Sequence, residues 1–301
     1  MTLIALLLSL MLERGLTHTL HLRELRWLDR YCDGWQRRLQ GRRGPVLMMA
    51  AVVSIALPVL PVALVSAALG THLLGLPQLA LAVAVLFFSF GPRDLKDEVD
   101  DYIAALARGD RDEASGRATE LLEVDAIGRG AGLRVAVEEA IFVQANNRIF
   151  GVIFWFMVLG PAGAWLFRIS DLMRRRAAFE SGRGENKAES DSFSAALSAV
   201  HGALAWVPAR LSALAYALAG SFEDAVGSWR SAVDQASHGL LDRTEDLLAR
   251  VGKGSLQPNL AGLPADELDV ATARGTWRIV ARALWVWLAV IAALILAGNL
   301  A

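Results

Sequence analysis

One cysteine and three lysines in 301 residues are the scarcities that first constrain this chain. A lone Cys32 excludes an intrachain disulfide and a cysteine-based zinc site, and it fits polar parts facing a reducing compartment. Net charge is scarce too. The 30 basic and 31 acidic residues leave a formal charge of -1, and the basic ones are mostly arginine, Lys96, Lys187 and Lys253 being the only lysines. With no global positive field, no basic tail and no RNA-binding motif, nucleic acid is not an expected partner. No stretch alternates with period two. No nucleophile elbow, zinc-protease helix or dinucleotide fingerprint occurs, and Gly252-Lys253-Gly254-Ser255 lacks the earlier glycine and the preceding strand of a phosphate loop. The start, MTLIALLLSLML, has no basic n-region and no small-residue cleavage site after it, so a retained apolar helix is expected there instead of a signal peptide.

Apolar residues are abundant. They make up 54% of the chain, with a mean hydropathy of +0.40 and only 20% charged residues. A soluble domain carries about 45–50% and about 25%. The expected fold is all-α: a polytopic integral membrane protein with helical cytoplasmic segments. Its expected parts are an N-terminal apolar helix and basic segment (1–44), a transmembrane hairpin (45–91), cytoplasmic helices (92–148), a re-entrant or transmembrane segment (149–176), cytoplasmic or interfacial helices with a linker (177–277), and a C-terminal transmembrane helix (278–301). Pro45–Leu69 and Leu73–Phe90 are long enough to cross a hydrocarbon core of about 30 Å, while Met1–Leu12 is short for it. Leu284–Ala297 follows an arginine-aromatic collar of Trp277, Arg278, Arg282, Trp285 and Trp287, suited to a membrane interface. Gly182–Ser192 reads as a polar linker.

Charge in the flanks bears on topology. Arg14–Arg43 and Arg93–Arg148 each hold eight basic residues, Arg168–Arg176 holds four, and the hairpin tip at Gly70–Pro77 holds none. The positive-inside rule places the tip outside and the basic regions in the cytoplasm. Full crossing by Ile149–Phe167 would carry Arg168 and Arg174–Arg176 outside. The favoured expectation is a hairpin that turns at Gly160-Pro161-Ala162-Gly163. The rival returns the chain through Ala199–Ala219. In the cytoplasmic parts, Leu95, Val99, Tyr102 and Leu106 recur at helical spacing, as do Phe222, Val226, Trp229 and Val233. Asp94 and Asp110 are placed to cap the helices that follow them.

The stretch Ala136–Asp171 sets a polar cluster directly against an apolar run, a costly arrangement unless the polar groups pair or act. On a helix, Glu138 and Asn146 are eight apart, Glu139, Asn146 and Asn147 stay within reach of one flank, and Arg148 ends the polar run. Three readings fit this spacing. The oxygens of Glu138 and Glu139 could hold Mg²⁺, the group could bind the polar head of a small molecule, or it could be an interfacial helix end whose Glu and Arg pair. Arg168 and Asp171, three apart, can pair or clamp an anion, and Arg168 can equally snorkel. Arg174–Arg176 reads as a topology signal and a contact for anionic lipid. Arg210 sits in an apolar stretch and needs a partner there. His18 and His21 are three apart, with no third metal ligand nearby.

Several of these segments resemble the membrane family that contains the CobD/CbiB cobalamin-biosynthesis proteins and the AmpE proteins. Val137-Glu138-Glu139 is similar to the opening of the synthase pattern V-E-S-x-A-E-N-x-x-D-G-x-x-A-P-L-F. Gly163-Ala164-Trp165-Leu166-Phe167-Arg168 follows G-A-x-x-Y-R with Phe for Tyr, and Asp171 lies near the Asp of N-T-L-D. Pro208-Ala209-Arg210-Leu211 follows P-x-R-L, and Gln257-Pro258-Asn259 is weakly similar to S-P-N. The departures fall in the centre. Counted from Glu138, the synthase Glu-Asn lands on Phe142 and Val143, and its Asp lands on Asn146. Neither an apolar ring nor a carboxamide can act as a general base. The chain resembles AmpE more closely, through MTLIALLLSLMLERG, Asn147-Arg148-Ile149-Phe150, Phe154-Trp155-Phe156, Leu159–Ala164, Trp206–Leu211 and Tyr216–Gly220.

That resemblance implies a multi-pass protein of the bacterial inner membrane, tied to β-lactamase induction and cell-wall recycling. It implies a regulator more than an enzyme. A small-molecule or nucleotide ligand would be held by Glu138, Glu139, Asn146, Asn147, Arg148, Arg168, Asp171 and Arg210, with Glu13 and Arg14 contributing. No nucleotide motif accompanies it. The alternative it carries is a CobD-like ligase or synthase using Mg²⁺ at Glu138 and Glu139. The lipid bilayer is the one partner expected from composition, and no protein partner is named by any motif.

Overall fold

The computed structural model describes residues 5–9, 26–39, 42, 44–69, 76–90, 94–122, 131–183, 187–234, 239–256 and 264–298. Among them the chain is all-α. A short helical piece at 5–9 is followed by α1 (Arg26–Leu39), α2 (Pro45–Leu69), α3 (Leu76–Ser89), α4 (Leu95–Ala107), α5 (Arg111–Leu122), α6 (Ala131–Ala145), a π-helical turn (Asn146–Phe150), α7 (Gly151–Arg183), α8 (Lys187–Ala219), α9 (Phe222–Asp234), α10 (Leu240–Ser255) and α11 (Ala265–Leu296). Four helical stretches are long and apolar enough to cross a membrane: Pro45–Leu69, Gly132–Glu180, Ser192–Ala219 and Glu267–Leu296. The chain is a polytopic membrane protein. Of the expected linker over Gly182–Ser192, residues 184–186 lie outside the described residues, and α8 already begins at Lys187. Polar composition does not forbid a helix there, since charged residues suit helix ends.

Two compact units are present. The first comprises Met1–Pro92, Gly151–Trp206 and Gly239–Leu241. Its core draws Leu28 and Cys32 from α1, Leu47, Ala51 and Ile55 from α2, Ile169 and Met173 from α7, and Phe193 and Leu197 from α8. Prolines inside apolar helices create a specific polar problem. A proline has no N–H, so the carbonyl four residues earlier loses its helical donor, and in hydrocarbon nothing else is at hand to replace it. Pro58 strips Ser54 in this way, and the Tyr31 hydroxyl donates to the Ser54 carbonyl at 2.8 Å. Pro208 strips Leu204, and the Trp155 indole N–H donates to the Leu204 carbonyl at 3.0 Å. Near Pro61, the Trp165 indole donates to the Pro58 carbonyl at 3.1 Å. Aromatic donors thus repair the helices that proline opens.

Helix α7 is broken where the sequence pointed. Gly160 adopts φ 64, ψ -152, a backbone state open to glycine and strained for other residues. Past the break the chain returns on itself. A Cβ built on Gly163 would overlap the Trp155 carbonyl oxygen, eight residues back, and crowd Leu159. A continuous helix would hold residues eight apart about 12 Å apart.

Cys32 is wholly buried in this unit, and burial pushes its thiol up to about 12. At neutral pH it is therefore a protonated thiol without solvent access, unreactive on both counts. N-ethylmaleimide is expected to leave the folded protein unmodified and to label it after denaturation. Labelling of the native protein at the rate of an exposed cysteine would contradict this packing.

The second unit comprises Arg93–Phe150, Val207–His238 and Asp242–Ala301. Its helix α4 buries Leu95, Val99 and Tyr102, the face its spacing marked. The Asp94 carboxylate accepts from the Lys96 N–H at 3.0 Å, and Asp110 accepts from the Glu113 N–H at 3.0 Å, so both capping expectations hold. Phe142, Tyr216, Phe150 and Trp287 form a row of ring contacts. Gly252 of α10 lies flat on the Phe142 ring, where a Cβ would overlap it.

Candidate functional site

Helix α6 widens into a π turn at Asn146–Phe150. One extra residue per turn rotates the polar run inward: Asn146, Asn147 and Arg148 are all buried. Such turns recur at functional sites. Arg148 is paired with two side chains. Its Nη1 donates to Glu98 Oε2 at 2.8 Å and its Nε to Gln144 Oε1 at 3.2 Å. The two asparagines form a chain of hydrogen bonds. Ser212 Oγ donates to Asn146 Oδ1 at 3.2 Å, and Asn146 Nδ2 donates to Asn147 Oδ1 at 3.2 Å. The chain ends at Asn147 Nδ2, a buried atom with no hydrogen-bond partner among the described residues. Flipping both amides reverses the chain and still leaves one polar atom of Asn147 unmet. An unmet amide group in the interior costs about 1–3 kcal/mol. A ligand acceptor would remove that cost.

Glu138 and Glu139 belong to the same unit but not to this chain of bonds. Arg134 lies 3.6 Å from Glu138 and 3.3 Å from Asp269, and Lys253 lies 3.0 Å from Glu139. Each carboxylate is engaged by a cation, which a divalent ion would have to displace. No cluster of three or more His, Cys, Asp or Glu suited to a metal occurs among the described residues. Arg210 is half-buried in this unit. Glu13, Arg14, His18, His21 and Gln257–Asn259 lie outside the described residues. A shallow cavity of about 810 Å³ lies over α9, lined by Phe222, Val226, Arg230 and neighbours on that one helix, and includes none of these residues.

Arg168 and Asp171 lie in the first unit, inside a second polar cluster. Asp171 is wholly buried and collects three guanidinium groups from its own helix. Arg168 Nη1 lies 3.3 Å from Oδ2, Arg174 Nη2 3.0 Å from Oδ1, and Arg175 uses both oxygens at 2.9 and 2.7 Å. Spacings of three and four residues make this convergence possible. Arg168 is buried with its carboxylate and does not snorkel. His201, which the sequence reading did not single out, joins from α8. Ser170 Oγ donates to the Phe167 carbonyl at 2.7 Å, so its 2.9 Å contact with His201 Nδ1 makes that nitrogen the donor. The other ring nitrogen, Nε2, lies 3.8 Å from Asp171 Oδ1 and has no hydrogen bond among the described residues. The one sequence signal for it was an ionisable side chain inside an apolar run.

Helices able to cross a membrane, with polar side chains buried along them and paired to one another, define a polytopic α-helical membrane protein with built polar sites. Within that class the chain belongs to the AmpE family, described as "Regulatory signalling modulator protein AmpE", whose profile matches residues 1–300. It is also similar to two proteins named "Cobalamin biosynthesis protein CobD". That of Chromobacterium violaceum is 28% identical over 286 residues, covering 88% of this chain and 83% of its own length. That of Stutzerimonas stutzeri is 29% identical over 203 residues, covering 67% and 64%. No solved structure matches the chain.

Proposed function

We propose that the protein is an inner-membrane regulatory sensor of β-lactamase induction and cell-wall recycling. In this reading a small ligand is recognised on the π turn, at the cytoplasmic face, by Asn147 with Asn146 and Arg148 fixing its orientation. The observation that carries it is the buried Asn147 amide group, unmet among the described residues at the end of an otherwise complete chain of hydrogen bonds. Family membership supports a regulator, and the basic flanks of the apolar helices support the cytoplasmic placement.

The CobD-named relatives suggest a competing reading, a condensing synthase. Where the synthase pattern has a glutamate, this chain has Phe142, which is wholly buried between the Tyr216 ring and Gly252. A packing residue there favours recognition over turnover.

Thermal unfolding of the purified full-length protein, with soluble muropeptides and with ATP as separate probes, tests the proposal. One of them is expected to raise the midpoint in the wild type. Asn147→Leu exchanges one unmet amide group for another, since Asn146 Nδ2 loses its acceptor; it is expected to fold about as well as the wild type and to lose most of that rise. An equal rise in Asn147→Leu, or no rise with either probe, overturns the assignment. Probe turnover would support the synthase instead.

A further inference from the structure

Helix α9 follows the membrane-crossing helix α8 after Gly220 and Ser221 alone. Its apolar side chains, Phe222, Val226, Trp229 and Val233, fall within an arc of about 60° on a helix turning about 100° per residue. A stripe with this spacing ordinarily faces a core. Here Phe222 is 54% exposed and Val233 67%, while Val226 and Trp229 are half-buried. The helix packs with a different side. Ala225 is buried, and Ser228 lies so close to Gly254 of α10 that a Cβ there would overlap its hydroxyl. The remaining side is polar and exposed, with Glu223, Gly227, Arg230 and Ser231. Both ends of the apolar stripe, Phe222 and Val233, are thus left uncovered by the described residues.

Its position says what covers it. Along the second half of α8, Val207, Leu211, Leu214 and Leu218 are exposed in steps of four and three residues, and Phe222 stands four beyond Leu218. On a candidate span, that row faces hydrocarbon. The helix then breaks at Gly220, and the Ser221 N–H donates to the Ser255 carbonyl at 2.9 Å. The 13 residues of α9 reach about 20 Å, too short to cross again.

We propose that α9 is an in-plane anchor lying in the headgroup layer of the bilayer. Phe222, Val226, Trp229 and Val233 enter the acyl boundary, and Glu223, Arg230 and Ser231 remain in water. An aromatic residue in the stripe suits that layer. Insertion is driven by apolar burial and not by anionic lipid, because Glu223 and Asp224 outweigh Arg230 on the exposed surface.

Site-directed spin labelling of the full-length protein in phosphatidylcholine nanodiscs tests this. Cys32 is silent to the label, so single cysteines can be placed at Phe222, Val233, Glu223 and Ser231. Labels at 222 and 233 are expected to relax more with oxygen than with a water-soluble nickel chelate, and labels at 223 and 231 the reverse. The pattern is expected to persist when half of the lipid is phosphatidylglycerol. Nickel-dominated relaxation at both 222 and 233 would overturn the anchor in favour of a water-facing helix. Exclusion of both reagents there would overturn it in favour of a protein partner or a second copy of the chain. A pattern that appears only with phosphatidylglycerol would overturn the apolar driving force.

Discussion

Replacing Asp171 with alanine is expected to destabilise the protein by about 3–5 kcal/mol, the usual consequence of breaking a buried ion pair from one side. Three guanidinium groups converge on this wholly buried carboxylate within about two turns of helix. Without it they face one another across a space from which water is largely excluded. Asp171→Asn keeps the shape and one acceptor, and so separates charge from packing. It is expected to fall between alanine and wild type. Unfolding of the detergent-solubilised protein, followed by circular dichroism, measures both. A loss under about 1 kcal/mol for alanine would mean that the arginines hold their positions without Asp171.

The second large effect is expected at Gly163. Valine there drives a Cβ into the Trp155 carbonyl oxygen, which is main chain and cannot swing away. Overpacking usually costs about 1–3 kcal/mol where side chains can adjust, so a cost at or beyond the top of that range is expected, with loss of folded protein from the membrane fraction. Gly160→Ala is the instructive partner. Its surroundings are open, and the penalty comes from φ alone. Alanine held at φ 64, ψ -152, a region occupied almost only by glycine, costs about 1–3 kcal/mol. A Gly163→Val protein that accumulates and melts like wild type would show that the two halves of α7 do not fold back on each other.

What could be read from the chain beforehand divides along the same physical line. Features carried by neighbours in sequence were legible: the long apolar helix at Pro45–Leu69, the caps at Asp94 and Asp110, the break at Gly160, and the Arg168–Asp171 pair. Features made by distant residues were not. His201 meets Ser170 across 31 positions, and no spacing rule links them. Arg174 and Arg175 read as signals of topology, because a run of arginines outside an apolar segment looks the same whether or not it curls back to a carboxylate. The π turn left no periodic trace, since its mark is one added residue. Glu138 and Glu139 looked like a pair because they are adjacent, yet successive helical residues point apart, and each found a different cation. The stripe on α9 was correct in spacing and incomplete in meaning. Periodicity identifies an apolar face without saying whether protein or lipid covers it.

The proline repairs bind residues far apart in the chain to a common fate. Tyr31 and Pro58 form one unit, as do Trp155 and Pro208. Straightening either helix by removing its proline returns the carbonyl to its own N–H and leaves the aromatic donor with nothing to serve. Keeping the proline while trading the indole or phenol for a phenyl ring leaves a bare carbonyl facing hydrocarbon. The proline can therefore be lost first, whereas the aromatic donor can be lost only after it, and the order of loss is fixed. Along any line of descent from this chain, a phenylalanine at 155 should be found where position 208 has already ceased to be proline.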